Sequence, residues 1–131
     1  DNAERLIDGM VLSNRILGFV NAPGLFQRVI AESLDEKVDV SIYKERRDYL
    51  YKHLTDLGFS CIEPKGAFYL FPRALIDDDI EFVNHALEYN LLLVPGSGFG
   101  FPGHFRISYC VSMKTIENSI NAFEALAKKF V

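Results

Sequence analysis

The chain has 131 residues, 49% of them hydrophobic, which is enough to bury one sizeable core and no more than one. Its formal net charge of -4 argues against nucleic acid or an anionic membrane surface as a partner. We see no apolar run of membrane-spanning length and no signal-peptide pattern, so we expect a cytoplasmic protein.

The first predicted elements are two apolar helices. Residues 4–20 carry apolar side chains at helical spacing, and Pro23 begins a second helix because proline suits a first helical turn. This front segment is too apolar to stand alone in water. The apolar residues of its second helix are Leu25, Phe26, Val29 and Ile30.

A third helix and a hairpin are predicted next. The helix covers residues 40–57 and ends at Gly58, which tolerates the left-handed conformation. Two extended runs, 59–63 and 67–72, flank a turn over 64–66 that contains proline and glycine. This pattern indicates a β-hairpin.

The second half of the chain again has a helix followed by two strands, and a last helix after them. Asp77 or Asp78 caps a helix over 79–89, and we expect Asn90 to end that helix in the left-handed conformation. Strands over 91–94 and 104–110 then flank a glycine-rich turn, and Ser112 caps a last helix. We expect the helix over 79–89 to bury Ile80, Val83 and Leu87. In the last helix, apolar residues repeat at three- and four-residue steps, namely Met113, Ile116, Ile120, Phe123, Ala127 and Phe130. Short strands alternating with helices predict an α+β fold, a sheet covered by helices.

One arginine stands among apolar residues in the last predicted strand. Alternation along this strand separates Arg106 from Phe105 and Ile107, which face the core. A guanidinium removed from water needs an anion, and its planar fork fits a carboxylate. The sequence therefore predicts a carboxylate pocket with Arg106 as its anchor and the glycine turn as a wall. A surface ion pair between Arg106 and a neighbouring acid is the alternative.

Three segments, in order, resemble the fold-type I, pyridoxal-phosphate-dependent aminotransferases of class I/II, the aspartate aminotransferase-like group. Residues 14–23 resemble the interdomain helix and turn of that family, and residues 64–71 resemble its hairpin strand. Together with the glycine turn and last strand, they span nearly the whole chain. The matching positions in the turn and strand are Pro95, Gly96, Phe99, Gly100, Arg106 and Ser108.

The resemblance implies a domain organisation. Residues 1–34 would be interdomain helices, and residues 35–131 would be the C-terminal small domain, a small, largely antiparallel sheet covered by helices. The intact enzyme would use pyridoxal 5'-phosphate to move an amino group between an α-amino acid and a 2-oxo acid. Its partners would be a large cofactor-binding domain and, in a homodimer, a second subunit.

The resemblance also implies roles for four residues. Arg106 would bind the α-carboxylate of the substrate, and Ser108 would orient Arg106 unless it is a simple strand hydroxyl. Phe68 and Phe99 would line the pocket for the substrate side chain, although aromatic residues in strands are more often core.

The residues that would carry the catalysis are absent from the sequence. In that family a lysine in a serine-x-x-lysine context forms the Schiff base with the cofactor, and we expect no lysine of this chain to have that role. The one matching spacing, from Ser41 to Lys44, lies at the start of the predicted third helix. We therefore expect a part of the enzyme that begins after that lysine, has no catalytic residue, binds no cofactor and is inactive alone. A β-lyase of the same fold, an effector-sensing domain of a transcription regulator, and a binding module without a catalytic half remain alternatives.

Other residues that could carry chemistry have simpler interpretations. Cys61 and Cys110 lie in apolar runs, so we expect buried, reduced thiols. The acidic residues 77–79 are typical of a solvated loop and helix start. The glycine turn opens no helix and is not followed by a lysine and a serine or threonine, which argues against phosphate binding. No metal site is expected, because metal-ligand spacing is missing around His53, His85 and His104.

Overall fold

The computed structural model describes residues 2–18, 21–66 and 68–130. The chain divides into two compact units, Asp1–Val38 and Asp39–Val131. Within the described residues, every helix is too short or too polar to cross a membrane.

The first unit contains two helices. Helix α1 covers Asn2–Ile16, and helix α2 covers Gly24–Glu32 with Pro23 at its N-cap. The predicted helix over 4–20 is thus confirmed as far as residue 16, while its positions 19 and 20 lie outside the described residues. Neither helix buries any side chain, so the apolar residues of α2 stay exposed.

The second unit is a three-stranded antiparallel sheet with helices, which confirms the α+β prediction. Strand β3 lies in the middle, between β1 and β2. The elements, in chain order, are α3 (Ser41–Asp56), β1 (Tyr69–Leu70), α4 (Asp79–Glu88), β2 (Val94–Pro95), a 3-10 helix (Gly96–Phe99), β3 (Phe105–Ser108) and α5 (Met113–Lys128).

The core of the second unit is centred on Phe59. Its ring makes edge-to-face contacts with Phe82, Phe105 and Phe123, at centroid distances of 6.2, 5.7 and 6.0 Å. These rings come from α4, β3 and α5. One aromatic side chain therefore joins the sheet to two of the helices that cover it.

Several helix boundaries follow the sequence signals. Gly58 and Asn90 have positive φ, 92° and 60°, just beyond α3 and α4, as predicted. Asp78 is the N-cap of α4, and its carboxylate accepts hydrogen bonds from the amides of Ile80 and Glu81. Ser112 caps α5 through the amide of Thr115.

The predicted hairpin is wrong. Residues 59–63 form no assigned strand, and β1 pairs with β3 instead. Pro64 has no amide hydrogen, and its carbonyl accepts a hydrogen bond from Arg47 Nη1 at 3.0 Å. The carbonyl of Ser60 still accepts from the Arg73 amide at 2.8 Å. The carbonyl of Pro64 is thus hydrogen-bonded to the side chain of Arg47 and not to a neighbouring strand.

The predicted buried face of α4 is also wrong in part. Ile80 and Leu87 are 55% and 48% exposed. The buried residues are instead Asp79, Phe82, Val83 and Ala86, which share one face of the helix. The sequence pattern missed this face because its first member is a carboxylate, which contradicts the prediction of a fully solvated acidic run.

The cysteine prediction is wrong for Cys110. It is an exposed free thiol, because β3 ends at Ser108 and leaves it beyond the sheet. Cys61 is a half-buried free thiol, and burial raises its pKa.

Candidate substrate carboxylate site

Arg106 lies in the central strand β3, opposite Val94 of β2. Its guanidinium carbon Cζ is 4.4 Å from the ring centroid of Tyr69 and 4.3 Å from that of Phe99. Stacking on an aromatic face stabilises a guanidinium while leaving its in-plane N–H groups as donors. No acidic side chain of residues 2–18, 21–66 or 68–130 forms an ion pair with Arg106. The arrangement favours an external anion over a surface ion pair.

Sequence reasoning missed the second ring of this stack. Tyr69 pairs with Ser108 in the register of β1 and β3, which places it beside Arg106. The neighbouring residue Phe68 takes the opposite direction and packs against Tyr43, with ring centroids 5.1 Å apart. Alternation within 67–72 could have separated these two side chains, but the pairing partner of the strand was not evident.

Phe68 is therefore not grouped with Arg106. It lines a separate cavity of about 350 Å³ whose other lining residues are Val40, Tyr43, Lys44, Arg47, Lys65, Gly66 and Tyr109. Of the two aromatic residues expected beside the substrate, the structure places only Phe99 against the arginine.

Ser108 has a different hydrogen-bond partner from the one expected. Its Oγ accepts the backbone amide of Cys110 at 3.1 Å. In the described part of the chain, no hydrogen bond joins it to Arg106. The rings of Tyr69 and Phe99, rather than the hydroxyl, hold the guanidinium.

The glycine-rich turn uses its own amides internally. The amide of Gly96 donates to the carbonyl of His104 at 2.7 Å. The amides of Ser97 and Gly103 donate to the two carboxylate oxygens of Asp79, at 2.7 and 3.2 Å. A carboxylate already occupies two of the donors that a phosphate would need. This supports the prediction of a wall beside the arginine over a phosphate cradle.

Gly96 is where this wall has no room for a side chain. A Cβ atom there would lie 2.4 Å from the carbonyl oxygen of Phe101 and 2.9 Å from that of His104. Both neighbours are backbone atoms inside the turn, so they can yield only if the turn opens. The position therefore requires glycine for space.

We expect Gly96→Ala to lower the free energy of unfolding of the chain by about 1–3 kcal/mol, the usual cost of overpacking. Urea unfolding followed by circular dichroism measures it. Gly98→Ala is the matched control, since nothing lies within 4 Å of a Cβ there. Equal stability of the two variants would contradict the close contact.

An aromatic cluster extends the site along the sheet. The rings of Phe71 and His104 are stacked at 5.8 Å, and Phe101 lies 4.5 Å from His104. With Tyr69, these side chains border a cavity of about 400 Å³. The ring of Tyr69 thus faces both the arginine and an apolar space.

The lysines of this chain do not have the setting of a Schiff-base lysine. Every lysine is solvent-exposed, whereas a Schiff-base lysine needs a desolvated or cationic setting. In the glycine turn, the amides of Gly96, Ser97 and Gly103 already have hydrogen-bond acceptors. The described residues also contain no group of three or more histidine, cysteine, aspartate or glutamate side chains that could hold a metal ion.

Comparison with known proteins identifies the family. The model for aminotransferase class I and II matches residues 6–123. The chain belongs to this family. It is 37% identical over 108 residues to the aspartate aminotransferase of Bacillus subtilis (strain 168), an alignment that covers 76% of this chain and 27% of that enzyme.

Solved aminotransferases have the same fold. An aminotransferase from Eubacterium rectale matches with a TM-score of 0.85 and 47% identity, over 89% of this chain and 29% of that one. The aspartate aminotransferase of Thermus thermophilus, solved with maleate, matches with a TM-score of 0.64 and 32% identity, over 66% and 23%. The chain spans less than a third of the length of these relatives.

Proposed function

We propose that this chain is the C-terminal small domain of a pyridoxal-phosphate-dependent aminotransferase, which moves an amino group between an α-amino acid and a 2-oxo acid. In this proposal Arg106 binds the α-carboxylate of the substrate. The observation that carries it is the guanidinium in contact with the rings of Tyr69 and Phe99 and without an acidic partner among the described residues.

The geometry suits carboxylate binding because the two rings contact the guanidinium and leave its N–H donors free. Both rings contact the guanidinium of Arg106, and stacking on an aromatic face leaves the N–H groups around the edge of its plane as donors. A carboxylate can accept two parallel hydrogen bonds from such an edge. Fixing the carboxylate this way also fixes the adjacent Cα–H bond, and orientation of this kind contributes strongly to rate.

The remaining chemistry belongs to other parts of the proposed enzyme. Its cofactor, pyridoxal 5'-phosphate, supplies the carbonyl that accepts the amino group, and a large domain supplies the lysine. We assign no cofactor contact and no catalytic residue to this chain. Its part is to bind the carboxylate and to line the site.

The first unit, Asp1–Val38, supports a proposal for the domain organisation. We infer that residues 1–34 are interdomain helices of a homodimeric enzyme and that residues 35–131 form the small domain. The exposed apolar side chains of α2, among them Leu25, Phe26 and Val29, are the kind of surface that packs against another domain or subunit.

The test is an assay of the product of the whole gene, with α-amino acids and 2-oxo acids as substrates and pyridoxal phosphate present. Transfer of the amino group to the 2-oxo acid supports the proposal. Release of ammonia and a keto acid without an acceptor would instead identify a β-lyase. If the product of the whole gene contains a DNA-binding segment and does not convert these substrates, it is an effector-sensing regulator.

A second expectation concerns the 131-residue chain alone. We expect it to show no transamination and no imine absorbance with pyridoxal phosphate, because its lysines are exposed and unactivated. Free carboxylates should bind with a Kd of about 1 mM or weaker, since a single open arginine contributes little affinity. Spectrophotometric titration with the cofactor, beside the whole-gene product as positive control, measures this. A stoichiometric imine band on the chain would contradict it.

A further inference from the structure

Asp79 is a buried carboxylate that the proposed function does not use. It is 3% exposed and is the one charged residue fully buried within the described residues. It stands at the first position of α4, yet it is not needed as the cap, because Asp78 accepts the amides of Ile80 and Glu81. Burying a carboxylate is costly unless its oxygens receive strong hydrogen bonds.

Its hydrogen bonds come from the glycine turn. Oδ2 accepts the amide of Ser97 at 2.7 Å, and Oδ1 accepts the amide of Gly103 at 3.2 Å. No lysine, arginine or histidine of the described residues forms an ion pair with it. Burial acts to raise the pKa of Asp79, but the hydrogen bonds from the turn outweigh it and hold the pKa below its usual range.

The two bound amides bracket the part of the turn that touches the arginine. Between Ser97 and Gly103 lies Phe99, whose ring centroid is 4.3 Å from Cζ of Arg106. The carboxylate therefore fixes both ends of a seven-residue segment that carries one of the two rings holding the guanidinium. Because Asp79 belongs to α4, this segment is also tied to the core of the unit, where Phe82 of the same helix stacks on Phe105.

We propose that Asp79 is a positioning residue for the substrate carboxylate: by clamping residues 97–103, it keeps Phe99 stacked on Arg106 and so holds the guanidinium in its binding orientation. This inference rests on the proposed function of Arg106. Asp79 does not touch substrate in this proposal and acts only through Phe99 and Arg106.

The discriminating variant is Asp79→Asn in the intact enzyme. An asparagine side chain has nearly the same shape, but one of its two ends is an amide group that donates and cannot accept. One of the amides of Ser97 and Gly103 then loses its acceptor and faces another donor. The clamp opens at one end without a change in side-chain volume.

We expect Asp79→Asn to lower kcat/KM for an α-amino acid by roughly tenfold or more, mainly through KM, as for the loss of a buried hydrogen bond to a charged group. Asp78→Asn is the matched control. It makes the same charge change one residue away, and asparagine is an equally good N-cap. We expect this control to stay within about twofold of wild type, as exposed substitutions usually do.

Two further measurements separate positioning from loss of stability. In an Arg106→Ala background, Asp79→Asn should have little additional effect, because the group it positions is gone. With the amine that corresponds to the substrate but lacks its carboxylate, wild type and Asp79→Asn should react at the same rate. An undiminished effect in either measurement would overturn the proposal.

The remaining outcomes also decide it. If Asp79→Asn does not fold, Phe99→Leu replaces it, and an unchanged KM for the amino acid in that variant refutes the positioning role. If Arg106→Ala impairs turnover but Asp79→Asn matches Asp78→Asn, the Asp79 inference alone fails. If the wild-type enzyme does not transaminate, the proposed function fails, and this inference with it.

Discussion

Replacing Arg106 with alanine in the intact enzyme should lower kcat/KM for α-amino acids by roughly 30-fold to several-thousandfold. This range corresponds to the ~2–5 kcal/mol lost when a hydrogen-bonded charge partner is removed from a desolvated site. Without the guanidinium, the substrate carboxylate loses its donors, and Tyr69 and Phe99 face an empty space. Steady-state kinetics of the half-reaction with a single amino acid measures the loss.

Two variants make this result specific. Arg106→Lys keeps the charge but loses the fork and the stacking, so most of the loss should remain. Arg73→Ala is the control: its side chain is exposed and pairs only with the exposed Asp77 among described residues, so kcat/KM should stay within about twofold. An Arg106→Ala enzyme with wild-type kcat/KM would refute the carboxylate role.

The site was only partly predictable, and the reason is non-local pairing. Arg106 is recognisable because a lone arginine in an apolar strand needs an anion. Phe99 follows from the family resemblance. Tyr69 does not, because β1 has only two residues and its partner β3 lies more than thirty positions further along the chain. Strand pairing depends on which faces meet in the core, which local alternation cannot specify.

Asp79 illustrates a different limit. Three consecutive aspartates are typical of a solvated run, and a carboxylate is seldom fully buried. The buried carboxylate of Asp79 is stabilised by two backbone amides of a turn that lies 18 and 24 residues further along the chain. Because every residue type except proline has such an amide, the sequence does not indicate these donors. Helices were predicted more accurately, because their periodicity and caps, such as Gly58 and Asn90, are local.

The second large effect should fall on stability. We expect Phe59→Ala to lower the free energy of unfolding of the chain by about 3–5 kcal/mol, the usual cost of truncating a buried phenylalanine. The side chain is fully buried, and its ring has edge-to-face contacts with Phe82, Phe105 and Phe123. These neighbours belong to three different elements, so no single side chain can move to fill the cavity.

Urea unfolding of the 131-residue chain, followed by far-UV circular dichroism, measures this loss. Phe101→Ala is the matched control, because Phe101 is 56% exposed and, among the described residues, its aromatic ring pairs are those with Phe71 and His104. Its cost should stay below about 1 kcal/mol, as for one exposed aromatic contact. Equal destabilisation by both variants would mean that Phe59 is not the centre of the core. If only Phe59→Ala lowers the free energy of unfolding strongly, the contacts between sheet and helices stabilise the sheet. They then also stabilise β3, the strand that carries Arg106.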